Sequence, residues 1–403
     1  MANESTDDGH GRRYSAEPTD GRRAFLKVAG AASVAGLTGC MGKRDVGASG
    51  GGGTTEESGD EQVLNILTWE GYDHDDLLGK YKDRGVDVNV KLIGSDTEAF
   101  NILQGGGTSE YDVMVIDNTW VQRHARAGTI EALDPEDFRE MDNFIERYQY
   151  PFEPFSWEDE MYGVPTRWGW DSLTINTNEV DEEMATETGY ELFWTGGESG
   201  EFKGKVGTVD WPTWVIPAIA IRLGYEPYQQ SEDELADIKE KLIQMFENVE
   251  AVYGGGSDTR QAMQNEDIWL APIGNYYFST MYHEGAKWVK TLLTEQAGGI
   301  AWTEGACVVK NPHNRKLAVE FINDVTTPEG QYSVCWKPGN KGIPVNENAY
   351  DQFSEEEQVS LTFNQNGFDA AETIVEKCIP YQFSEHTDEW TDMWSEAKAR
   401  AGL

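Results

Sequence analysis

From Val63 onward, short apolar runs alternate with amphipathic ones. Val63–Thr68, Val86–Ile93 and Val113–Ile116 are brief and rich in β-branched side chains, which predicts strands, while Asp75–Lys82 and Glu98–Leu103 carry apolar residues at helical spacing. A second series follows: strands over Ser172–Asn176, Val206–Val209 and Ile268–Ala271, with helices over Val215–Leu223 and Glu232–Phe246. Later, Gly299–Trp302 and Ala306–Val309 read as two strands around a turn at Glu304-Gly305, backed by a helix over Arg315–Val325. A final helix, Asp388–Arg400, has Trp390 and Trp394 four apart on one face, a spacing for packing. Strand–helix alternation of this kind predicts an α/β fold with largely parallel sheets, and two such series predict two lobes.

The N-terminus has a different grammar. Arg22-Arg23-Ala24-Phe25-Leu26-Lys27 precedes a small, apolar run from Val28 to Leu37, and Leu37-Thr38-Gly39-Cys40 follows. The run is too short to span a bilayer and has the layout of a targeting segment. It resembles a twin-arginine export signal joined to a lipoprotein box, which makes residues 1–39 a leader and Cys40 a lipid-bearing first residue. Residues 40–61, dominated by Gly, Ser, Thr and acids, predict a flexible tether holding the folded part to the outer face of the membrane.

Charge narrows the partners. The net charge is −40, and the leader, with five basic and five acidic residues, contributes none of it. Such a surface repels itself unless salt screens it, which suits a saline habitat, and it excludes nucleic acid as a partner. Beyond Cys40 only Cys307, Cys335 and Cys378 remain. Their odd number and lack of C-x-x-C spacing predict buried thiols, with neither a disulfide framework nor a zinc site. The six histidines are scattered without ligand spacing, and His74 reads as a surface residue near the first strand.

Further pieces carry a likeness: Thr68-Trp69-Glu70-Gly71-Tyr72; Tyr111-Asp112-Val113-Met114-Val115 with Ala127-Gly128-Thr129-Ile130; Tyr162-Gly163-Val164-Pro165 with Trp168-Gly169; Phe202-Lys203-Gly204-Lys205-Val206; Leu223-Gly224-Tyr225; and Gly298-Gly299-Ile300-Ala301-Trp302. In order and spacing they resemble the spermidine/putrescine-type family of extracellular solute-binding proteins of ABC importers, over about residues 62–403. The resemblance implies a two-lobed periplasmic-binding-protein fold, with crossings near Trp168–Trp170 and Trp302–Gly305 and a ligand cleft between lobes that close by a hinge. Residues 62–168 with 305–348 would form one lobe, and 169–304 with 349–403 the other. It also implies a monomeric receptor without cofactor or catalysis, delivering an amine-type solute to membrane permease subunits.

Carried over by position, Trp69 and Tyr72 match an aromatic pair after the first strand, and Trp302 with Glu304 an aromatic and a carboxylate at the second crossing. Asp117, Thr119 and Trp120 stand where the family has polar and aromatic ligand contacts. Asp210 keeps one carboxylate after the strand Val206–Val209, but Trp211 and Trp214 stand where the polyamine binders carry acids. Indoles offer π faces to a cation and no acceptors to a primary ammonium, which favours a bulkier or less hydrogen-bonding amine. Two rival readings stay open: a ferric-iron binder using Asn275-Tyr276-Tyr277, whose phenolates suit a hard ion, and an exported hydrolase using two carboxylates. No G-x-S-x-G elbow between a strand and a helix and no H-E-x-x-H motif supports the second.

Overall fold

In the computed structural model, residues 62–295, 298–336, 341–361 and 370–403 are described; the leader, the tether and Cys40 lie outside them. The chain opens with three parallel strands: β1 (Val63–Thr68) pairs with both β2 (Asp87–Leu92) and β3 (Val113–Asp117). Helices Asp75–Asp83 and Asp96–Gln104 make the crossovers. Ser95 caps the second by accepting from the Glu98 amide, and acids in both first turns suit the helix dipole. After helix Asn118–Ala127, a small hairpin of β4 (Ser156–Trp157) and β5 (Glu160–Met161) leads into the long strand β6 (Val164–Asp171).

Past Ser172 the chain enters a second sheet. Its strands are β7 (Leu173–Asn176), β8 (Val206–Val209), β9 (Val249–Tyr253), β10 (Leu270–Ala271) and β11 (Val289–Leu292), in the order β11, β7, β10, β8, β9. The chain returns through β12 (Ile300–Val308), which pairs antiparallel with both β3 and β6, and passes again through β13 (Ile379–Pro380) beside β12. The first sheet therefore runs β13, β12, β3, β1, β2, with β6 attached to β12. Both sheets are mixed where largely parallel ones were expected, because the strands that return between lobes run against the crossover strands. No helix among the described residues is long and apolar enough to cross a membrane.

Each sheet has its own core. Leu64, Ile66, Val113 and Val115 pack under the first, and Ile175, Val206, Ile219 and Leu242 under the second. Trp390 and Trp394 are buried in the second, as their shared helical face predicts. Cys307, Cys335 and Cys378 are free and buried.

The expected turn at Glu304-Gly305 is absent. β12 is one nine-residue strand whose register slips between those two residues. Gly305 serves close approach: a Cβ there would lie 2.0 Å from the Phe155 ring. This continuity fixes the site, because alternation along β12 sends Trp302 and Glu304 to one face, and alternation along β6 sends Arg167, Gly169 and Asp171 to the same face. Trp168 and Trp170 turn the other way and are fully buried. Each such indole removes roughly 150–250 Å² from water, on the order of 4–6 kcal/mol, which anchors the strand that carries the polar face.

Candidate functional site

A cavity of about 550 Å³, a size usual for small-molecule sites, opens between the two sheets. Its floor follows the β6–β12 register. Arg167 stands opposite Glu304, Gly169 opposite Trp302, and Asp171 opposite Ile300. The absent side chain at Gly169 makes room for the indole, since a Cβ there would fall 2.2 Å from Trp302 Cζ2. From the first lobe come Trp69 and Glu70 after β1, Asp96 at the start of its helix, and Asp117 at the end of β3. The opposing lobe supplies Trp211, Thr213 and Trp214 around the start of helix Pro212–Leu223, where Pro212 suits the first helical position. It also supplies Ser257 from helix Gly256–Gln264, and Tyr276 and Tyr277 from helix Asn275–His283. Tyr381, just past β13, stacks on Trp214 with ring centroids 4.2 Å apart and planes 15° from parallel.

Five of the sequence-derived residues that line this cavity are Trp69, Asp117, Trp211, Trp214 and Trp302. Glu304 lines it too, but its charge is spent: Arg167 Nε and Nη2 donate to its two carboxylate oxygens, both at 2.9 Å. Tyr72 is fully buried beneath that pair, donating to Glu304 Oε2 at 3.1 Å and bonded to Thr166 Oγ1 at 2.8 Å. It supports the floor and does not line the cleft, because its ring turns inward after the positive-φ Gly71. Burial alone would lower the Arg167 pKa, but the adjacent Glu304 outweighs this and holds it above the ordinary value.

Three expectations fall elsewhere. Thr119 lines a different cavity, of about 760 Å³, that shares Tyr381 with the cleft. That cavity sets Glu153 and Glu385 beside Arg126 and His386, and its rings are Tyr228, Tyr381 and Phe383, with no indole, so its acids have cations at hand where those of the cleft do not. Trp120, one turn into its helix, packs on Phe100 at 5.7 Å and under the Arg123 guanidinium at 4.2 Å. Asp210 is exposed and takes Trp394 Nε1 at 2.5 Å and Lys398 Nζ at 2.9 Å, tying the C-terminal helix to the end of β8. Although partial burial opposes it, these donors hold its carboxyl below the usual range.

Sequence reasoning missed Glu70, Asp96, Arg167, Asp171, Thr213, Ser257 and Tyr381 as lining residues, and read Tyr276-Tyr277 only as an iron-type dyad. For Asp171 a signal existed: alternation from Trp168 and Trp170 places it on the opposite, polar face. For Asp96 none did, since its approach to Asp117 joins segments 21 residues apart.

The electrostatics are lopsided. Five acids line the cleft, and Arg167 is the single cation among its described lining residues. Burial pushes the Asp171 carboxyl up to about 7, against a hydrogen bond from Trp302. Burial also raises Asp117, with the Asp96 and Glu304 charges adding to it. Desolvated carboxylates without counter-ions cost free energy that a cationic ligand would recover, and indole faces stabilise a cation by ~0.5–2 kcal/mol each. Tyr276 and Tyr277 meet edge to face, centroids 4.8 Å apart, within the aromatic wall.

Residues 77–360 match the family described as bacterial extracellular solute-binding protein. Among curated proteins, the putrescine-binding periplasmic protein of Pseudomonas aeruginosa is 24% identical over 281 residues, covering 68% of this chain and 76% of that one. The spermidine/putrescine-binding periplasmic protein of Salmonella typhimurium is 22% identical over 280 residues, covering 69% and 76%. Among solved structures, the spermidine/putrescine ABC transporter substrate-binding protein of Streptococcus pneumoniae superposes with a TM-score of 0.69 at 18% identity, covering 84% of this chain and 99% of that one. That likeness shows a shared two-lobed fold.

Proposed function

Because this chain belongs to the bacterial extracellular solute-binding protein family, whose members capture small solutes for ABC permeases, we propose that its cleft takes an amine-bearing, polyamine-like cation. One observation carries the reading: Asp96, Asp117 and Asp171 line a cavity walled by Trp69, Trp211, Trp214 and Trp302, while Arg167, the one cation among its described lining residues, is already paired with Glu304. Carboxylates fix the ammonium groups and indoles cover the methylenes and spread charge. The polyamines named for the curated relatives support the same class. The ferric-iron and hydrolase readings gain no comparable support.

In this reading residues 62–168 with 305–348, which carry β1 to β3, are one lobe, and 169–304 with 349–403 the other, hinged at β6, β12 and β13. Ligand-driven closure would be the state the permease reads. Cys40, with the twin-arginine leader and the tether before Val63, is read as the lipid anchor of an exported monomer; one similar structure is itself of a lipoprotein, from Treponema pallidum. Titration calorimetry of the chain in molar KCl tests the ligand class. Heat with spermidine or putrescine supports it, and no heat with polyamines or quaternary amines rejects it.

A further inference from the structure

One corner of the cleft, read as an amine site above, has chemistry of its own. Asp96 is the first residue of its helix and Asp117 the last of β3. The Asp117 amide donates to Asp96 Oδ1 at 3.3 Å, and the two carboxyls lie within hydrogen-bonding reach of each other.

The charged and titratable groups facing this pair are Glu70 after β1, Arg167 and Asp171 on β6, Glu304 on β12, and Tyr276 and Tyr381 on the aromatic walls. Arg167 eases Asp117 only through its charge at a distance, since Nε and Nη2 are held by Glu304 and Nη1 donates to the Val334 carbonyl at 3.0 Å. On the pair's own helix, Glu98 is turned to the Gly94 amide and Lys91. On the next helix, Arg123 is stacked over Trp120 and Phe100. Two carboxylates this close, partly withdrawn from solvent and without a cation bonded to either, cannot both ionise cheaply, so one proton serves both.

We propose that Asp96 and Asp117 share one proton in the empty cleft and exchange it for an ammonium group that carries N–H bonds. In the exchange the bridging proton leaves to solvent, both carboxylates become anionic, and the incoming R–NH3⁺ donates a hydrogen bond to each. Charge balances: a singly negative pair and one cation become a doubly negative pair, one bound cation and one released proton. A quaternary ammonium has no N–H to replace the lost O–H···O bond and would donate to neither carboxylate. The pair is therefore a specificity determinant that opposes the preference of Trp211 and Trp214 for bulky cations. Burial, the partner's charge and Glu304 all raise this pair's titration, which supports the shared proton.

The sign of the pH dependence follows. On the acid side of the pair's titration a ligand must expel the proton, so affinity falls about tenfold per pH unit, and on the alkaline side it is flat. The test is calorimetry of the full chain in molar KCl with spermidine and with choline, at mildly acidic, neutral and mildly alkaline pH, in phosphate and in Tris. Expected are about one proton released per spermidine, seen as buffer-dependent heat, and choline binding at least about tenfold more weakly. Asp96→Asn, checked for folding by thermal melting, should bind spermidine more weakly with a flat pH profile and no proton release; Asp96→Glu should restore both.

Spermidine bound without proton release, an unchanged profile in D96N, or choline matching spermidine would each overturn the exchange while leaving amine capture intact. Silence with every amine would instead reject the amine reading itself.

Discussion

Asp171 shows how a cleft-lining carboxyl opposes stability. Its folded pKa of about 7 exceeds the unfolded value near ~4, so the native state holds the proton longer, and stability is lost as pH rises between those values. Asp171→Asn removes that loss and keeps an acceptor for the Trp302 indole. We expect the empty variant to be more stable than the parent near about pH 8, by on the order of 2–4 kcal/mol, with the gain mostly gone near about pH 5. Melting curves at both values check this, and equal gains at the two would exclude desolvation as the cause. Glu304 and Asp210, both expected from sequence to hold ligand, separate in the same assay. Glu304→Gln leaves Arg167 charged and buried, at a cost of ~3–5 kcal/mol with or without amine. Asp210→Ala, whose side chain is 43% exposed, should cost only ~0.5–1 kcal/mol and leave spermidine affinity unchanged.

At the scale of elements, the boundaries of most strands and helices follow from local pattern: Val206–Val209 is the strand expected, and Arg315–Thr326 extends the expected helix by one residue. β12 resisted such reading. Glu-Gly is ordinary turn chemistry, and only the Phe155 ring above Gly305 reveals a bulge in a continuous strand. Gly169 is a comparable case, its small size needed by a residue 133 positions later. Gly169→Ala should push Trp302 off the floor and weaken spermidine binding at least about tenfold, with a fold still intact by circular dichroism. The capping box of helix Glu232–Asn248 provides the contrast: Ser231→Ala should cost ~1 kcal/mol of stability, and any loss of affinity would show that this helix communicates with the cleft.

For the whole molecule, a net charge of −40 makes stability depend on salt. Repulsion acts across the surface, and raising salt from ~0.1 to ~1 M shortens its range from about 10 to about 3 Å, so the melting temperature should climb steadily toward molar KCl. A flat or falling curve would show that close ion pairs such as Arg84–Glu320 outweigh the general field. The −40 charge and the alternation of strands with helices are legible along the chain, since charge adds residue by residue and periodicity belongs to neighbours. Likewise, four of the cleft's indoles stand beside strand ends or on the crossing that a linear reading can locate. Which acids remain available to a ligand is not a local property. Arg167 neutralises Glu304 across 137 positions, Lys398 draws off Asp210 across 188, and Asp96 meets Asp117 only when a helix start and a strand end converge. The number of acids is written in the composition, but their partners are chosen by strand register and lobe packing, because a charge in a desolvated cleft is defined by what the fold brings within a few ångströms of it.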